Sequence, residues 1–198
     1  MSLDTVALIV DTENHFGVTF TNAETEQIFT VQQFIDVLYT KIQRSPGMRC
    51  KSQILFYRLR EYFQNKLGVD SRSFLPTSTI RLLLANHDPR QTWSTMQNDL
   101  HLILPELMPR DIDPNISKEY KILGIALYGR PDPVTYKTVR DFVNWTLAIN
   151  HKTFIDPQNI CSKEELTHIF IGILSESVGI PVHEIKLHHR FTDDLGMD

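Results

Sequence analysis

The chain has 198 residues, of which 41% are hydrophobic and 22% are charged, and its formal net charge is −4. This composition is typical of a globular protein of one ordinary domain or two small ones, and it disfavours disorder and a basic nucleic-acid-binding surface. The longest apolar run, residues 122–128, is far shorter than the ~20 residues that span a bilayer. No basic segment with an apolar core opens the sequence, so no secretory leader is expected, and two cysteines favour a reducing, cytoplasmic setting.

The first helix start that the sequence marks clearly is Thr30. A threonine favours the N-cap position, because its hydroxyl can accept a hydrogen bond from a backbone amide of the first turn. The apolar residues that follow share one helix face, namely Val31, Phe34, Ile35 and Leu38. Residues 43–51 come after this helix and are predicted to be a linker.

The middle of the chain predicts two further helices. The first has a stripe at three- and four-residue steps, made by Leu55, Leu59, Tyr62, Phe63 and Lys66. Gly68 suits the left-handed position after its last turn. Five prolines break residues 105–136, which are predicted to be loop with one short element at 120–128. Thr138 then caps the second helix, whose core face consists of Val139, Phe142, Val143 and Leu147.

The last predicted helix begins at Ser162, after a linker at residues 151–161. Ser162 and Glu165 have the spacing of a capping box, in which hydroxyl and carboxylate bind amides that would otherwise have no partner. The apolar residues behind them again share a face, namely Leu166, Ile169, Phe170, Ile173 and Leu174. Gly179 is expected to end the helix.

A repeat relates the middle of the chain to its two ends. The pairs at a constant offset of 111 residues are Cys50 with Cys161, Gly68 with Gly179, Phe74 with Ile185, Ile80 with Phe191 and Leu84 with Leu195. Residues 93–104 match residues 9–20, and residues 138–143 match residues 30–35. Two copies of one structural unit are therefore predicted, one of them divided between the chain ends.

The chain ends, joined tail to head, carry a recognisable signature. They place the run Asp193-Asp194-Leu195-Gly196-Met197-Asp198 before Ser2-Leu3-Asp4. This string resembles the signature of acyl carrier proteins, in which an Asp-Ser-Leu at the start of the second helix carries a phosphopantetheine arm on its serine. Residues 163–198 are similar to the first helix and long loop of a carrier protein, and residues 2–42 are similar to its other three helices.

The resemblance implies an all-α fold of two acyl-carrier-like four-helix units. One unit is assembled from residues 1–42 plus 162–198, so that the family's fold would be circularly permuted. The other is continuous over residues 51–150, with an insertion at about 108–136.

The resemblance also implies a modification site. Ser2 would carry the phosphopantetheine, flanked by Asp198, Leu3 and Asp4. A purely structural role for Ser2 is the other reading, because serine is a favoured N-cap. The matching position of the middle copy is Asn86, which has no hydroxyl to modify, so at most one attachment site is expected.

In the family, the helix that follows the serine docks partner enzymes through acidic residues. The resemblance implies docking through Asp4, Asp11 and Glu13. The middle copy lacks this acidity and has Arg90 and Gln91 in the corresponding helix, so it is interpreted as a copy that carries nothing.

Three functions fit these features. The favoured one is a non-catalytic, carrier-like binding or scaffolding protein with protein partners and no cofactor. The alternative is a true carrier modified at Ser2, and an acyl chain or another apolar ligand is a further candidate. A third function is head-to-tail assembly, in which the divided unit closes between chains as a domain swap. Closure within one chain is favoured over such an oligomer, because the tether gives a high effective concentration.

Other chemistry is disfavoured. His183, His188 and His189 lack the spacing of a metal site and are interpreted as solvated loop residues. Cys50 and Cys161 occupy matching positions before a helix and are interpreted as packing residues. Asp193 and Asp194 precede a helix start, where carboxylates are favourable. The chain is therefore not expected to be an enzyme. The aromatic residues at helical spacing are predicted to be core, namely Phe56, Tyr57, Phe63, Trp93, Phe142 and Trp145.

Overall fold

The computed structural model describes residues 3–42, 49–116, 120–122, 125–127, 133–157 and 159–197. The protein is all-α, as predicted. Its helices are α1 (Leu3–Phe16), α2 (Asn22–Thr25), α3 (Val31–Lys41), α4 (Lys51–Leu67), α5 (Ile80–Leu83), α6 (Pro89–Leu100), α7 (Pro109–Ile112), α8 (Val139–Ile149), α9 (His151–Phe154) and α10 (Lys163–Val178). Two short strands, β1 (Tyr120–Ile122) and β2 (Ile125–Leu127), pair antiparallel, and a 3₁₀ helix spans Val134–Tyr136. None of the described helices has the length and apolarity needed to cross a membrane.

The chain divides into two compact units. The first unit consists of Met1–Gln53 and Leu147–Asp198, and the second is Ile54–Thr146. In the first unit, α10 packs against α1 and α3, so the two ends of the chain share one core. At its centre the Phe34 ring stacks on Phe170 with 4.3 Å between centroids, and Phe20 and Phe191 meet the same ring edge-on or tilted.

The second unit has a comparable aromatic core. Phe63 packs on Phe74 with 4.9 Å between ring centroids, and Trp93 packs on Phe142 at 5.2 Å. The Trp93 indole N–H donates to the Pro105 carbonyl at 2.8 Å, which satisfies its polar atom in a buried position.

Matching backbone hydrogen bonds hold α3 and α8 in their units. Each helix start is joined to a loop by an isolated antiparallel bridge, Thr30 with Arg190 in the first unit and Thr138 with Thr79 in the second. Around the first bridge the bonds are Val31 N to His189 O (3.1 Å), Gln32 N to Leu187 O (2.8 Å) and Phe191 N to Phe29 O (3.1 Å). Around the second they are Val139 N to Ser78 O (2.8 Å), Arg140 N to Pro76 O (3.0 Å) and Ile80 N to Lys137 O (3.1 Å). Each pair of bonds joins residues that the sequence repeat equates.

The turns after α1 and α6 also match. Gly17 and His101 both have left-handed backbones, with φ of 64° and 49°. Phe20 N donates to a Glu13 carboxylate oxygen at 2.6 Å, and Leu104 N donates to the Gln97 amide oxygen at 3.0 Å. Glu13 and Gln97 thus have the same role, because each side chain accepts the backbone amide seven residues later.

The predicted helix ends are confirmed at four positions. The hydroxyls of Thr30 and Thr138 accept hydrogen bonds from the amides of Gln33 and Asp141, and the amide of each threonine donates in return to the side chain of that same residue. Gly68 and Gly179 follow α4 and α10 with φ of 66° and 70°. These conformations strain any residue that has a Cβ, which explains the glycines.

The capping box predicted at Ser162 is half wrong. The Ser162 hydroxyl does accept from Glu165 N at 3.1 Å. The Glu165 carboxylate, however, accepts from Cys161 N at 2.9 Å rather than from the amide of Ser162. The Glu165 side chain is buried, and it binds the amide of Cys161, the residue before the N-cap.

Several boundaries and burial predictions need correction. The linker at residues 151–161 contains α9, and the predicted loop at 105–136 contains α7 and the 3₁₀ helix. The strand pair lies within the short element that was predicted at 120–128. Tyr57 is 53% exposed, because it lies two residues after Leu55 and therefore faces away from the buried stripe of α4. Phe56 and Trp145 are half-buried, whereas the other three predicted core aromatic residues are buried.

Candidate functional site on the first helix

The predicted attachment site lies at the edge of the described chain. Ser2 and Asp198 are outside the described residues, and α1 begins at Leu3. The turn that leads to the C-terminus is firmly held, because Met197 N donates to Phe191 O at 2.9 Å and the Met197 side chain is buried.

Asp193 and Asp194 both bind Arg190 within this turn. The Asp194 carboxylate accepts from Arg190 N at 2.8 Å, and the Asp193 carboxylate pairs with the Arg190 side chain at 2.6 Å. Both acids therefore stabilise the turn that follows the Thr30–Arg190 bridge.

Helix α1 has one face in the core and one in solvent. Thr5, Leu8, Ile9 and Thr12 form the buried face, on the side where α1 packs against α10. On the opposite face three apolar side chains are exposed, with Leu3 at 85%, Val6 at 42% and Val10 at 45%. The carboxylates of Asp4 and Asp11 are exposed beside them. We call Leu3, Asp4, Val6, Val10 and Asp11 the outer face of α1.

The corresponding helix of the second unit, α6, is polar at the matching positions. The sequence match of residues 9–20 with 93–104 places Arg90 opposite Val6 and Ser94 opposite Val10, and both are exposed. Asn86, the counterpart of Ser2, is exposed in the turn before α6. A helix in this position therefore does not require apolar residues on its outer face, and those of α1 need another explanation.

Glu13 is half-buried in the last turn of α1 and has a local structural role, while its docking role stays a prediction. Its carboxylate is turned to the following loop, where it accepts the Phe20 amide at 2.6 Å. The sequence repeat contained the signal for this role, because position 97 is a glutamine that can accept the same bond.

A cleft of about 480 Å³ lies beside α1 in the first unit. Its polar lining comes from Asp11 and His15 on α1, from Lys152 on α9 and from Glu176 on α10. Lys152 and Glu176 form an exposed ion pair at 2.6 Å. Burial, with the neighbouring His151 and Lys152, lowers the pKa of His15.

Next to this cleft His151 is buried against α10. Its Nδ1–H donates to the Ala148 carbonyl at 2.9 Å, and burial lowers the pKa of the ring. Its Nε2 has no hydrogen-bond partner among the described residues. The ring fits because residue 172 is a glycine, since a Cβ there would collide with Ala148 O and His151 Nδ1. This contact was not predicted, although a lone glycine inside a helical pattern signals a close approach.

The two cysteines are free thiols in the first unit. The Cys161 thiol donates to the buried Glu165 carboxylate at 2.9 Å, and the same carboxylate accepts Lys51 N at 3.3 Å. Burial, together with Glu165, raises the pKa of Cys161 to about 11, so the thiolate needed for nucleophilic attack is scarce near neutral pH. Cys50 Sγ lies 2.9 Å from Ser52 Oγ.

The loop histidines differ in burial. His183 is buried, so its prediction as a solvated residue is wrong, whereas His188 is exposed and His189 is half-buried. His183 lies between Val182 and Ile185 in a turn whose apolar residues enter the core. Within the described part of the chain, no group of three or more His, Cys, Asp and Glu side chains could hold a metal ion.

These features define an all-α protein whose first helix presents an apolar and acidic outer face to solvent. No protein-family model matches the chain, and a search of solved structures finds no match.

Proposed function

We propose that the protein is a non-catalytic binding or scaffolding protein that docks a protein partner on the outer face of α1. The observation that carries this proposal is the exposure of Leu3, Val6 and Val10 along one side of a helix whose other side is in the core. An acyl-carrier-like unit would use its second helix in the same way, and the resemblance of the chain ends to carrier proteins implies that α1 corresponds to that helix.

The exposed apolar side chains on the outer face of α1 are unfavourable in water, and the fold does not require them. Burying a Val or Leu side chain contributes about 1.5–3 kcal/mol, so three of them can anchor a partner. Helix α6 shows the polar alternative, with Arg90 and Ser94 where α1 has Val6 and Val10. The difference between the two helices is the reason to assign the docking role to the first unit.

The charge of the first unit indicates the kind of partner. This unit contains fourteen Asp and Glu residues against eight Lys and Arg, whereas the second contains ten against twelve. Asp4 and Asp11 lie beside the exposed apolar residues. A partner with an apolar pocket surrounded by lysine and arginine would complement this surface, and the charges would speed association.

The test replaces the outer face of α1 with the residues of α6. A photo-crosslinker at position 6 identifies the partner in the source cells, and the same probe at position 90 is the matched control. The double variant Val6→Arg/Val10→Ser should then weaken the partner's affinity at least about tenfold in calorimetry, with an unchanged circular dichroism spectrum. Asp11→Lys should slow association and reduce its salt dependence. Equal crosslinking from both positions, or an affinity that the double variant leaves intact, would overturn the proposal.

A phosphopantetheine carrier modified at Ser2 is the second candidate. It rests on the resemblance of the joined chain ends, Asp198 with Ser2-Leu3-Asp4, to the attachment signature of carrier proteins. The test is the intact mass after co-expression with a broad-specificity phosphopantetheinyl transferase, with Ser2→Ala as control. A phosphopantetheine increment that is absent from the control would establish a carrier, and an unmodified mass would leave docking without a carried group.

A further inference from the structure

The cleft of about 480 Å³ beside α1 is a place where the first unit departs from the second. Its walls come from the C-terminal halves of α1 and α10 and from Lys152 on α9. The helices of the second unit that match α1 and α10 are α6 and α4. Three lining residues therefore have counterparts there, and the sequence repeat pairs His15 with Asp99, Ile173 with Tyr62 and Ser177 with Lys66.

In the second unit a lysine side chain bridges the two helices at these positions. Lys66 Nζ on α4 lies 3.4 Å from Asp99 Oδ2 on α6. Tyr62 is buried one turn before Lys66, and burial together with Asp99 raises its pKa. The phenol thus lies near the same ion pair. The second unit therefore places its own cation where the first unit has the cleft.

The residues of the first unit leave this place open. Ser177 is exposed and far shorter than a lysine, so it cannot reach α1 as Lys66 reaches α6. Ile173 is smaller than the tyrosine that it replaces. These two exchanges of a large side chain for a small one explain why the cleft lies between α1 and α10.

The charges that line the cleft favour a cation. The Asp11 carboxylate lies one turn before His15, and among the described residues no cation pairs with it. Glu176 pairs with Lys152 at 2.6 Å, but the two side chains are 51% and 63% exposed, so the pair is weak and readily exchanged. Burial, with the neighbouring His151, lowers the pKa of His15. The imidazole is therefore neutral near pH 7 and does not repel a cation.

We propose that this cleft receives a lysine or arginine side chain of the partner that docks on the outer face of α1. The inference rests on the proposed docking, because Asp11 belongs both to the outer face and to the cleft. The alkyl part of the partner's side chain would lie on Ile173, and its charged end would meet Asp11 and Glu176. The partner thus supplies to the first unit the cation that Lys66 supplies to the second.

The experiment titrates the full chain with the N-acetyl methylamides of lysine, arginine and norleucine, followed by ¹⁵N chemical shifts. Salt at about 0.1 M limits the interaction of exposed charges to about 10 Å. The two basic probes should give saturable shifts at the amides of Asn14, His15 and Ser177, which line the cleft. Norleucine has a similar apolar stem without the charge and should give no such shifts. The tighter of the two basic probes shows which side chain the cleft prefers.

Three variants test the assignment. Ser177→Lys restores the lysine of the second unit, and this tethered cation should weaken the binding of both basic probes about tenfold or more. Asp11→Asn should weaken binding about threefold or more, a modest effect because the carboxylate is exposed. Asp4→Asn is the matched control, since Asp4 is exposed on the same helix, does not line the cleft and loses the same charge. It should leave the affinity within about twofold of the parent chain.

Three results would overturn the inference. They are a norleucine response equal to that of the basic probes, equal losses with Asp4→Asn and Asp11→Asn, and an unaltered affinity in Ser177→Lys.

The variant Val6→Arg/Val10→Ser separates this inference from the docking proposal, because neither valine lines the cleft. It should lose the partner and retain the basic probes. If it keeps the partner while the probes bind the cleft, docking on the outer face fails alone. If it loses the partner while the parent chain does not bind the probes, the cleft inference fails alone.

Discussion

At the residue scale, the packing of α9 against α10 depends on the absence of a side chain at Gly172. In an ordinary helix interior, Gly→Ala stabilises a protein by about 0.5–1 kcal/mol. Here the added methyl would collide with Ala148 O and His151 Nδ1, one of which is backbone. We expect Gly172→Ala to lower the free energy of unfolding by about 1–3 kcal/mol, the usual cost of an overpacked core, as measured by urea denaturation.

The control for this prediction is Ser177→Ala, which is exposed on the same helix. It should change the free energy of unfolding by no more than about 0.5 kcal/mol. A Gly172→Ala variant as stable as the parent chain would show that α9 can move away from α10 without loss.

Three histidines of the first unit give it a specific pH dependence. Burial lowers the pKa of His15, His151 and His168 in the folded chain. The unfolded chain, in which a histidine titrates near ~6.5, therefore binds more protons as the pH falls. The stabilisation that comes from these neutral histidines is therefore complete above pH ~6.5, the pKa in the unfolded chain. We expect it to be lost as the pH falls from about 7 to 5. The free energy of unfolding, measured in urea at several pH values, should decrease over this window.

His168→Gln should make the free energy of unfolding depend less steeply on pH between about 7 and 5. His168 is buried, and its Nε2 has no hydrogen-bond partner among the described residues. Its removal should reduce the slope by up to about 1.4 kcal/mol per pH unit, whereas exposed His188→Gln should leave the slope unchanged. Carboxylates act at lower pH, since hydrogen bonds from Lys41 and Thr21 lower the pKa of Glu24 to about 2. A slope in the pH 5–7 window that His168→Gln does not alter would contradict the assignment.

At the scale of elements, the turn after α1 tests the match between the two units. Glu13 and Gln97 accept equivalent amides, those of Phe20 and Leu104. Because glutamine suffices in the second unit, we expect Glu13→Gln to preserve the free energy of unfolding to within about 0.5 kcal/mol. Glu13→Ala leaves the Phe20 amide without an acceptor and should cost about 1–3 kcal/mol.

Asp11→Ala is the control for the same measurement by urea denaturation. Asp11 is exposed on the outer face of α1 and should contribute little to stability. If Asp11→Ala and Glu13→Ala cost the same, the carboxylate of Glu13 has no special role in the turn.

Helix ends were predictable from the sequence because their signals are local. A threonine with a glutamine or aspartate three residues later defines the caps at Thr30 and Thr138. Gly68 and Gly179 occur where a residue without Cβ is needed, so the glycine identifies the position. The apolar stripe of α10 was predictable for the same reason, since helical spacing alone brings its residues to one side.

Side-chain roles that depend on distant residues could not be predicted. The buried Glu165 had a local partner in the capping box, but its carboxylate instead joins Cys161 to Lys51, which is remote in sequence. The acidity of Glu13 suggested docking, although its partner is an amide seven residues later. The grouping of Arg81, Arg110 and Tyr136 depends on the packing of α5, α7 and the 3₁₀ helix, which no sequence spacing reveals.

At the scale of the whole molecule, the two units differ in charge and in the surface of one helix. The acidic first unit presents the outer face of α1, on which Leu3, Val6 and Val10 are exposed. The counterpart helix α6 lacks the apolar outer face. The outer face of α1 therefore distinguishes the first unit from the second among the described residues, although the two units have matching backbone hydrogen bonds.

The match between the two units allows a test of whether the two chain ends unfold as one cooperative unit. Phe34 and Phe142 occupy matching positions, and both are completely buried. Phe→Ala in a core costs about 3–5 kcal/mol. In hydrogen exchange, Phe34→Ala should speed the exchange of α1, α3 and α10, although α10 is more than a hundred residues distant in the chain. Phe142→Ala should instead act on α6 and on α4.

Light scattering during the same experiment distinguishes closure within the chain from head-to-tail assembly. α10 packs against α1 and α3 of its own chain, so a monomer mass at all concentrations should accompany the coupled exchange. A mass that rises with concentration would mean that α10 reaches another chain. If Phe34→Ala loosened α1 and α3 but left α10 protected, the chain ends would not form one cooperative unit. If the exchange of α1, α3 and α10 rises together in a monomer, the three helices form one cooperative unit within the chain. Loss of α10 would then expose the core side of α1 and unfold the helix on which docking depends.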